Sequence, residues 1–187
     1  GLIARGGDAD TTERATLLLA QCRVRLRQPG EAARYFRAVL EQPDSPLAAE
    51  ARSGLASALL DGGKAEDALA IYDNLVTKDN AGPEAWAIRF QRGQALFATK
   101  DYRKALKEFA AVADSQSDSA AAGAYWAAKS LLRLDRPKDA AEQLRVSIRD
   151  HSESELLPEM SYDLGVALAR AERPEEAAAA LDEFQRR

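Results

Sequence analysis

The 187-residue chain has a single cysteine and a single histidine, and each scarcity closes off a class of chemistry. One cysteine excludes an internal disulfide, and one histidine excludes any site built on two imidazoles, which removes most zinc and non-haem iron centres. No apolar run approaches the roughly 20 residues that a spanning helix requires. The first ten residues, with Arg5, Asp8 and Asp10, contain no signal-peptide core. Direct membrane insertion is not expected, while the compartment stays open. A formal charge of -4 and a pI near 5.2 leave no basic footprint for phosphates, so nucleic acid is not an expected partner. Neither a glycine-rich phosphate loop nor a nucleophile elbow occurs, and Gly62 with Gly63 reads as a turn. No cofactor, metal or catalytic residue is expected.

What is abundant is alanine, with 39 residues, against eleven glycines, seven prolines and 6% aromatics. That mix favours helix over sheet. With 46% apolar and 30% charged residues, the chain can bury a core without disulfides or a metal. It starts at Gly1 and ends at Arg187 inside a helical pattern, and so reads as a segment of a longer protein.

An internal repeat organises the sequence. An alanine followed four residues later by a large apolar residue occurs five times: Ala32 and Phe36, Ala68 and Tyr72, Ala105 and Phe109, Ala140 and Leu144, Ala177 and Leu181. Successive alanines lie 36, 37, 35 and 37 residues apart. Twelve positions before each stands a small residue, namely Ala20, Ala56, Gly93, Ala128 and Gly165. Apolar residues recur at helical spacing on both sides of a central break, such as Gln28-Pro29-Gly30 or Arg173-Pro174, so each unit is a helical hairpin. First helices are expected near 11–27, 46–61, 83–99, 118–134 and 153–171, and second helices near 30–42, 64–77, 102–114, 138–149 and 175–186. Ser45 before Pro46, Gly82 before Pro83, and Ser152 with Glu155 in capping-box spacing mark starts of first helices. The small columns are seams that let helices cross closely. A lone hairpin cannot bury both of its apolar faces, so neighbours must stack. The expected fold is all-α: a right-handed α-solenoid of five helix-turn-helix repeats, about ten helices, with 1–10 as an N-terminal flank and 11–187 as one array (units 11–44, 45–80, 81–116, 117–151 and 152–187).

Single residues that invite a chemical role have plainer readings. His151 falls in a turn between units, and Cys22 shares a column with Ala58, Ala95, Ser130 and Ala167, which predicts a thiol buried where first helices touch. Glu31, Asp67, Asp139 and Glu176 recur near the starts of second helices, where the macrodipole favours negative charge. Arg186, Arg187 and the arginines at 23, 25 and 27 read as solvated faces.

Leu164, Gly165, Ala177 and Leu181 form a pattern, matched by Gly93, Tyr102, Ala105 and Phe109, that resembles the tetratricopeptide-repeat (TPR) family over 11–187. The units are slightly longer than the usual repeat, with the excess in loops such as 44–48 and 117–120. In this they are similar to bacterial cell-envelope members, including the outer-membrane assembly lipoprotein and Tol-Pal-associated proteins, which implies a periplasmic or envelope-associated setting. Arg92 departs from its column of Leu19, Leu55, Ala127 and Leu164, which puts the register of the third unit in question, and Pro29, Pro137 and Pro174 stand where an aromatic is usual. The resemblance implies that first helices line a concave, partner-binding face. Candidate contacts in the first unit are Arg14, Gln21 and Arg25, and in the third Phe90, Gln94 and Phe97. The fourth unit adds Tyr125, Lys129 and Arg133, and the fifth Tyr162 and Arg170. One column reads Leu17, Ser53, Phe90, Tyr125 and Tyr162, and its aromatics suit either anchoring a peptide or filling the groove between first helices. The face carries a small positive excess, which favours an acidic or mixed-charge protein or peptide. The lysine and asparagine of the chaperone-binding carboxylate clamp are missing, since Leu17 and Gln21 do not supply them. The expected function is a non-enzymatic interaction scaffold. The alternative is a structural spacer or oligomerisation arm with an empty groove, which leaves a homo-oligomer open.

Overall fold

A computed structural model describes residues 9–42, 44–76 and 82–186. Ten helices run in chain order: α1 (Ala9–Arg25), α2 (Pro29–Leu40), α3 (Ala48–Asp61), α4 (Ala65–Leu75), α5 (Pro83–Ala98), α6 (Tyr102–Ala113), α7 (Ala120–Arg133), α8 (Pro137–Asp150), α9 (Leu157–Arg170) and α10 (Pro174–Arg186). The described residues contain no strand, and the helices pair as five hairpins. The hairpins fall into two compact units, Gly1–Thr77 with the first two and Lys78–Arg187 with the other three.

The turn inside each hairpin is built the same way five times. The second residue after the first helix lies in the left-handed region at Arg27, Gly63, Lys100, Asp135 and Glu172. The next amide then reaches back to a carbonyl five residues earlier, as from Gln28 to Arg23, Lys64 to Leu59, Asp101 to Leu96, Arg136 to Leu131 and Arg173 to Leu168. These bonds satisfy carbonyls that the helix end leaves without partners. Second helices start on proline at Pro29, Pro137 and Pro174, where the missing N–H costs nothing and the fixed φ suits a first turn. In the third hairpin, Asp101 does the equivalent work by accepting from the Lys104 amide.

The small columns are the crossing points. A Cβ on Gly93 would lie 2.6 Å from the Phe109 ring, and one on Gly165 would lie 2.5 Å from Leu181. The small residue of each first helix thus meets the large residue of its own second helix. Gly54 makes the equivalent approach between hairpins, with its absent Cβ 2.3 Å from Phe36. In the first unit the core is Ala20, Ala32, Phe36, Val39, Ala56, Leu59, Ala68 and Tyr72. In the second, Leu96, Ala105, Phe109 and Val112 are buried, and Ala128, Leu131, Ala140, Leu144, Met160 and Leu168 form a further cluster.

Three expectations are corrected. Helix α9 begins at Leu157, not near 153: Ser154 accepts from the Leu156 amide in a turn, and no side chain caps the helix. Cys22 is exposed, not buried, although Ala58 and Ala167 in its column are covered by a preceding hairpin. Arg92 does not disturb the third hairpin's register. Its guanidinium donates to Glu108 at 2.7 Å, and Arg89 lies 3.6 Å from the other carboxylate oxygen, so the charge is compensated from α6.

Candidate functional site

In the second unit, α7 carries Tyr125, Lys129 and Arg133 at four-residue intervals, which places them on one helical face. The Lys129 ammonium lies 5.1 Å from the Tyr125 ring centre and 5.0 Å from that of Trp126. The Arg133 guanidinium lies 6.0 Å from the ring centre of Phe97 on α5. Phe97 is held edge-on between Tyr102 and Trp126, with ring centres 5.0 and 5.2 Å away. Two cations therefore stand over an aromatic floor, a favourable arrangement that keeps both heads toward solvent. Among the described residues, neither cation has a carboxylate within salt-bridge distance. This group can accept an anionic side chain without breaking an existing ion pair.

The remaining expected contacts divide among several roles. Phe90 tilts onto Phe109 at 5.6 Å and belongs to the hairpin's packing, with Gln94 half-buried one turn further on. Tyr125 is buried with Met160 and Leu144, and burial followed by the nearby Asp163 and Glu159 charges pushes its phenol well above the usual range. Its ring is a core element as much as a surface one. Tyr162, in the same column, is exposed and packs against Phe184 at 6.1 Å. These two rings, with Tyr125, Pro158, Glu159 and Asp163, line an open cleft of about 430 Å³. Arg170 is occupied as a brace, donating to the Leu132 carbonyl at 3.1 Å and to Asp135 at 3.0 Å. In the first unit, Arg14 sits 3.6 Å from Asp10, Gln21 donates to Glu50 on α3 at 2.7 Å, and Arg25 is exposed.

Sequence reasoning passed over Trp126, Asp163 and Phe184. Trp126 and Asp163 share a column with Leu18, Gly54 and Gln91, and so mixed a column gives no periodic signal. Phe184 shares one with Val39, Val112 and Ser147, all buried, and reads as packing. His151 closes α8, its amide donating to the Ser147 carbonyl at 2.9 Å. Among the described residues, no cluster of three metal-ligating side chains occurs and no helix is long and apolar enough to cross a membrane.

No curated protein sequence matches the chain. Solved structures match it along most of its length. Nearly identical TPR-like repeats of a putative kinesin light chain from Podosopora anserina superpose with a TM-score of 0.78 at 16% identity, covering 96% of each chain. MamA from Desulfovibrio magneticus RS-1 gives 0.76 at 19% identity, with 96% of this chain and 95% of that one covered. YrrB, a TPR protein with an unusual peptide-binding site, gives 0.69 at 15% identity over 90% and 82%. At such identities the likeness speaks for the TPR-like solenoid fold alone. The tetratricopeptide-repeat family model, however, matches 17–83, 67–122, 90–155 and 125–187, spanning all five hairpins, and with their shared turns and crossings this shows that the chain belongs to the tetratricopeptide-repeat family.

Proposed function

We propose that the chain is a non-catalytic scaffold that holds an acidic or mixed-charge protein segment on the α5–α7 face of its second unit. The observation that carries this reading is the pair Lys129 and Arg133, seated over Phe97, Tyr125 and Trp126 with no carboxylate partner among the described residues. Partner carboxylates meet the two cations, and an apolar or aromatic side chain beside them meets the edge of Phe97. YrrB, similar in fold, is itself described as having a peptide-binding site, which supports a peptide-binding role for this chain. The lengthened loops at 44–48 and 117–120 support a setting in a bacterial cell-envelope protein, periplasmic or envelope-associated.

Fluorescence anisotropy with two labelled peptide sets, one acidic with a single aromatic residue and one with the charges reversed, tests the reading. The acidic set should bind more tightly, and more weakly as salt is added. Lys129→Glu with Arg133→Glu should lower its affinity at least tenfold, about 1.4 kcal/mol, with helicity by circular dichroism unchanged. Preference for the basic set, or equal binding by the double variant, would refute the assignment.

A further inference from the structure

Four of the five second helices carry a carboxylate in the first turn. Glu31, Asp67, Asp139 and Glu176 hold one column in α2, α4, α8 and α10, and Glu66 and Glu175 stand beside two of them. The dipole of a helix favours negative charge there. Helix α6 is the exception: Lys104 takes the carboxylate column, Arg103 precedes it, and no acidic residue lies in its first turn. Lys107 follows Arg103 by one turn, so the two share a face. Positive charge at this end works against the dipole, so helix stability does not account for Arg103.

The neighbouring carboxylates do not quench these charges. Asp101 pairs with Lys104 at 2.8 Å, Asp139 with Arg136 at 2.7 Å and Asp135 with Arg170 at 3.0 Å, while Glu108 is turned to Arg89 and Arg92. Arg103 and Lys107 are both exposed, and among the described residues neither has a carboxylate within salt-bridge distance. The same holds for Lys138, which takes the place of Arg103 one hairpin on, in α8. In a chain of net charge -4, this is a concentration of uncompensated positive charge. It is also joined to the aromatic floor: Tyr102, the first residue of α6, meets Phe97 edge-on at 5.0 Å, and Phe97 lies beneath Arg133.

We propose that α6 extends the peptide site. An acidic protein segment whose first carboxylates sit on Lys129 and Arg133 runs past Tyr102 and sets a second acidic block on Arg103 and Lys107, with Lys138 beyond them. This rests on the peptide-binding reading of α7 and adds that the partner is acidic along its length, so that the α6 cations select among acidic partners. Two features favour a protein segment over a membrane or a nucleic acid. The large exposed apolar side chains among the described residues, Leu18, Leu26, Val146 and Tyr162, all lie on other helices, so α6 has none to insert into a bilayer. The cations are also interrupted by Asp101, Asp135 and Asp139, which repel a continuous phosphate backbone but leave room for separate side-chain carboxylates.

Fluorescence anisotropy at low salt with three labelled probes provides the test. One is the pentapeptide Asp-Glu-Phe-Glu-Asp. The other two join it through a Gly-Ser-Gly-Ser spacer to four glutamates, placed at the N-terminal end in one and at the C-terminal end in the other. The parent should bind one of the longer probes at least tenfold more tightly than the pentapeptide. Arg103→Glu with Lys107→Glu should remove that advantage and leave the affinity for the pentapeptide within twofold. Glutamate at 103 is the residue type of Glu66 and Glu175 in the same column, so this double variant should melt no lower than the parent, which separates lost binding from lost structure. Equal binding of all three probes by the parent, an advantage that survives in the double variant, or a double variant that melts lower would each overturn the proposal. So would tighter binding of a single-stranded oligonucleotide or of phosphatidylserine vesicles than of the longer probes. If Lys129→Glu with Arg133→Glu spares the pentapeptide while the α6 variant loses the longer probes, the α7 reading fails and the α6 surface stands; the opposite pattern does the reverse.

Discussion

The two units reach a packed interior by different means. Nine of the twelve aromatic residues lie in Lys78–Arg187, and Gly1–Thr77 has only Tyr35, Phe36 and Tyr72. In the first unit, buried alanines such as Ala20, Ala32, Ala51, Ala56 and Ala58 let helices approach closely, and polar pairs such as Gln21 with Glu50 tie their rims. In the second, Phe90, Phe97, Phe109 and Trp126 form a chain of ring contacts between 5.2 and 5.7 Å. Close alanine seams leave little side chain for a visitor. Aromatic seams fill the interior and still offer edges and faces on which cations can rest, so packing and the candidate recognition surface in the second unit share the same residues.

The sharpest way to break that contrast is to remove one large ring from each unit. Phe109→Ala should lower stability by about 3–5 kcal/mol from lost burial and the cavity left behind. It also loses ring contacts with Phe90 and Trp126, worth about 0.5–1.5 kcal/mol each. Phe36→Ala should fall in the same range without that addition. Both tryptophans, Trp86 and Trp126, lie in the second unit, so their fluorescence follows that unit while circular dichroism follows both. During urea denaturation the Phe109 variant should shift the fluorescence midpoint strongly, and the Phe36 variant should shift it less than the circular dichroism midpoint. Equal fluorescence shifts would mean that the two units unfold as one.

A smaller effect is expected from overfilling a seam. Ala105 is fully buried in the third hairpin, and Ala105→Leu should cost about 1–3 kcal/mol. Ala177→Leu changes the same column in the last hairpin, where fraying relieves strain, so its denaturation midpoint should stay closer to the parent's. A greater loss at Ala177 would argue against a stack held together by neighbours.

The smallest effect concerns α6. Asp101→Ala removes the hydrogen bond to the Lys104 amide and should cost about 0.5–1 kcal/mol near neutral pH. The Lys104 hydrogen bonds hold the Asp101 carboxyl below the usual aspartate range. A carboxylate depressed on folding stabilises above its unfolded pKa and loses that contribution as pH falls through its lowered folded value. The gap between parent and variant should therefore be full at neutral pH and close on acidification, as thermal melts across an acid series would show.

Much of this fold was legible because a repeat supplies five readings of one pattern. The seams at Gly93 and Gly165, the prolines opening α2, α8 and α10, and nine of the ten helix starts follow from it to within two residues. What the pattern conceals is position within the stack. Cys22 and Ala58 are equivalent by column and differ in exposure because, among the described residues, only Ala58 has a hairpin on its outer side. Tyr125 and Tyr162 differ for the mirror-image reason, so the candidate surface was only partly readable. Arg92 looked like an error of register because its compensation, Glu108, sits on another helix 16 residues away. The late start of α9 escaped because Ser152 and Glu155 imitate a cap that Ser154 forestalls.

The left-handed residue in each hairpin turn bears on how this chain can be altered. Arg27, Lys100, Asp135 and Glu172 hold a conformation that costs an ordinary residue about 1–2 kcal/mol, whereas Gly63 holds it freely. Glycine at the other four places would relax that strain, less the roughly 0.5–1 kcal/mol of extra backbone freedom that glycine loses on folding. The chain therefore carries an unused margin of thermal robustness, divided evenly along its length and reachable without touching the core. Three of the four places are open to such engineering. Asp135, which anchors Arg170, is not among them.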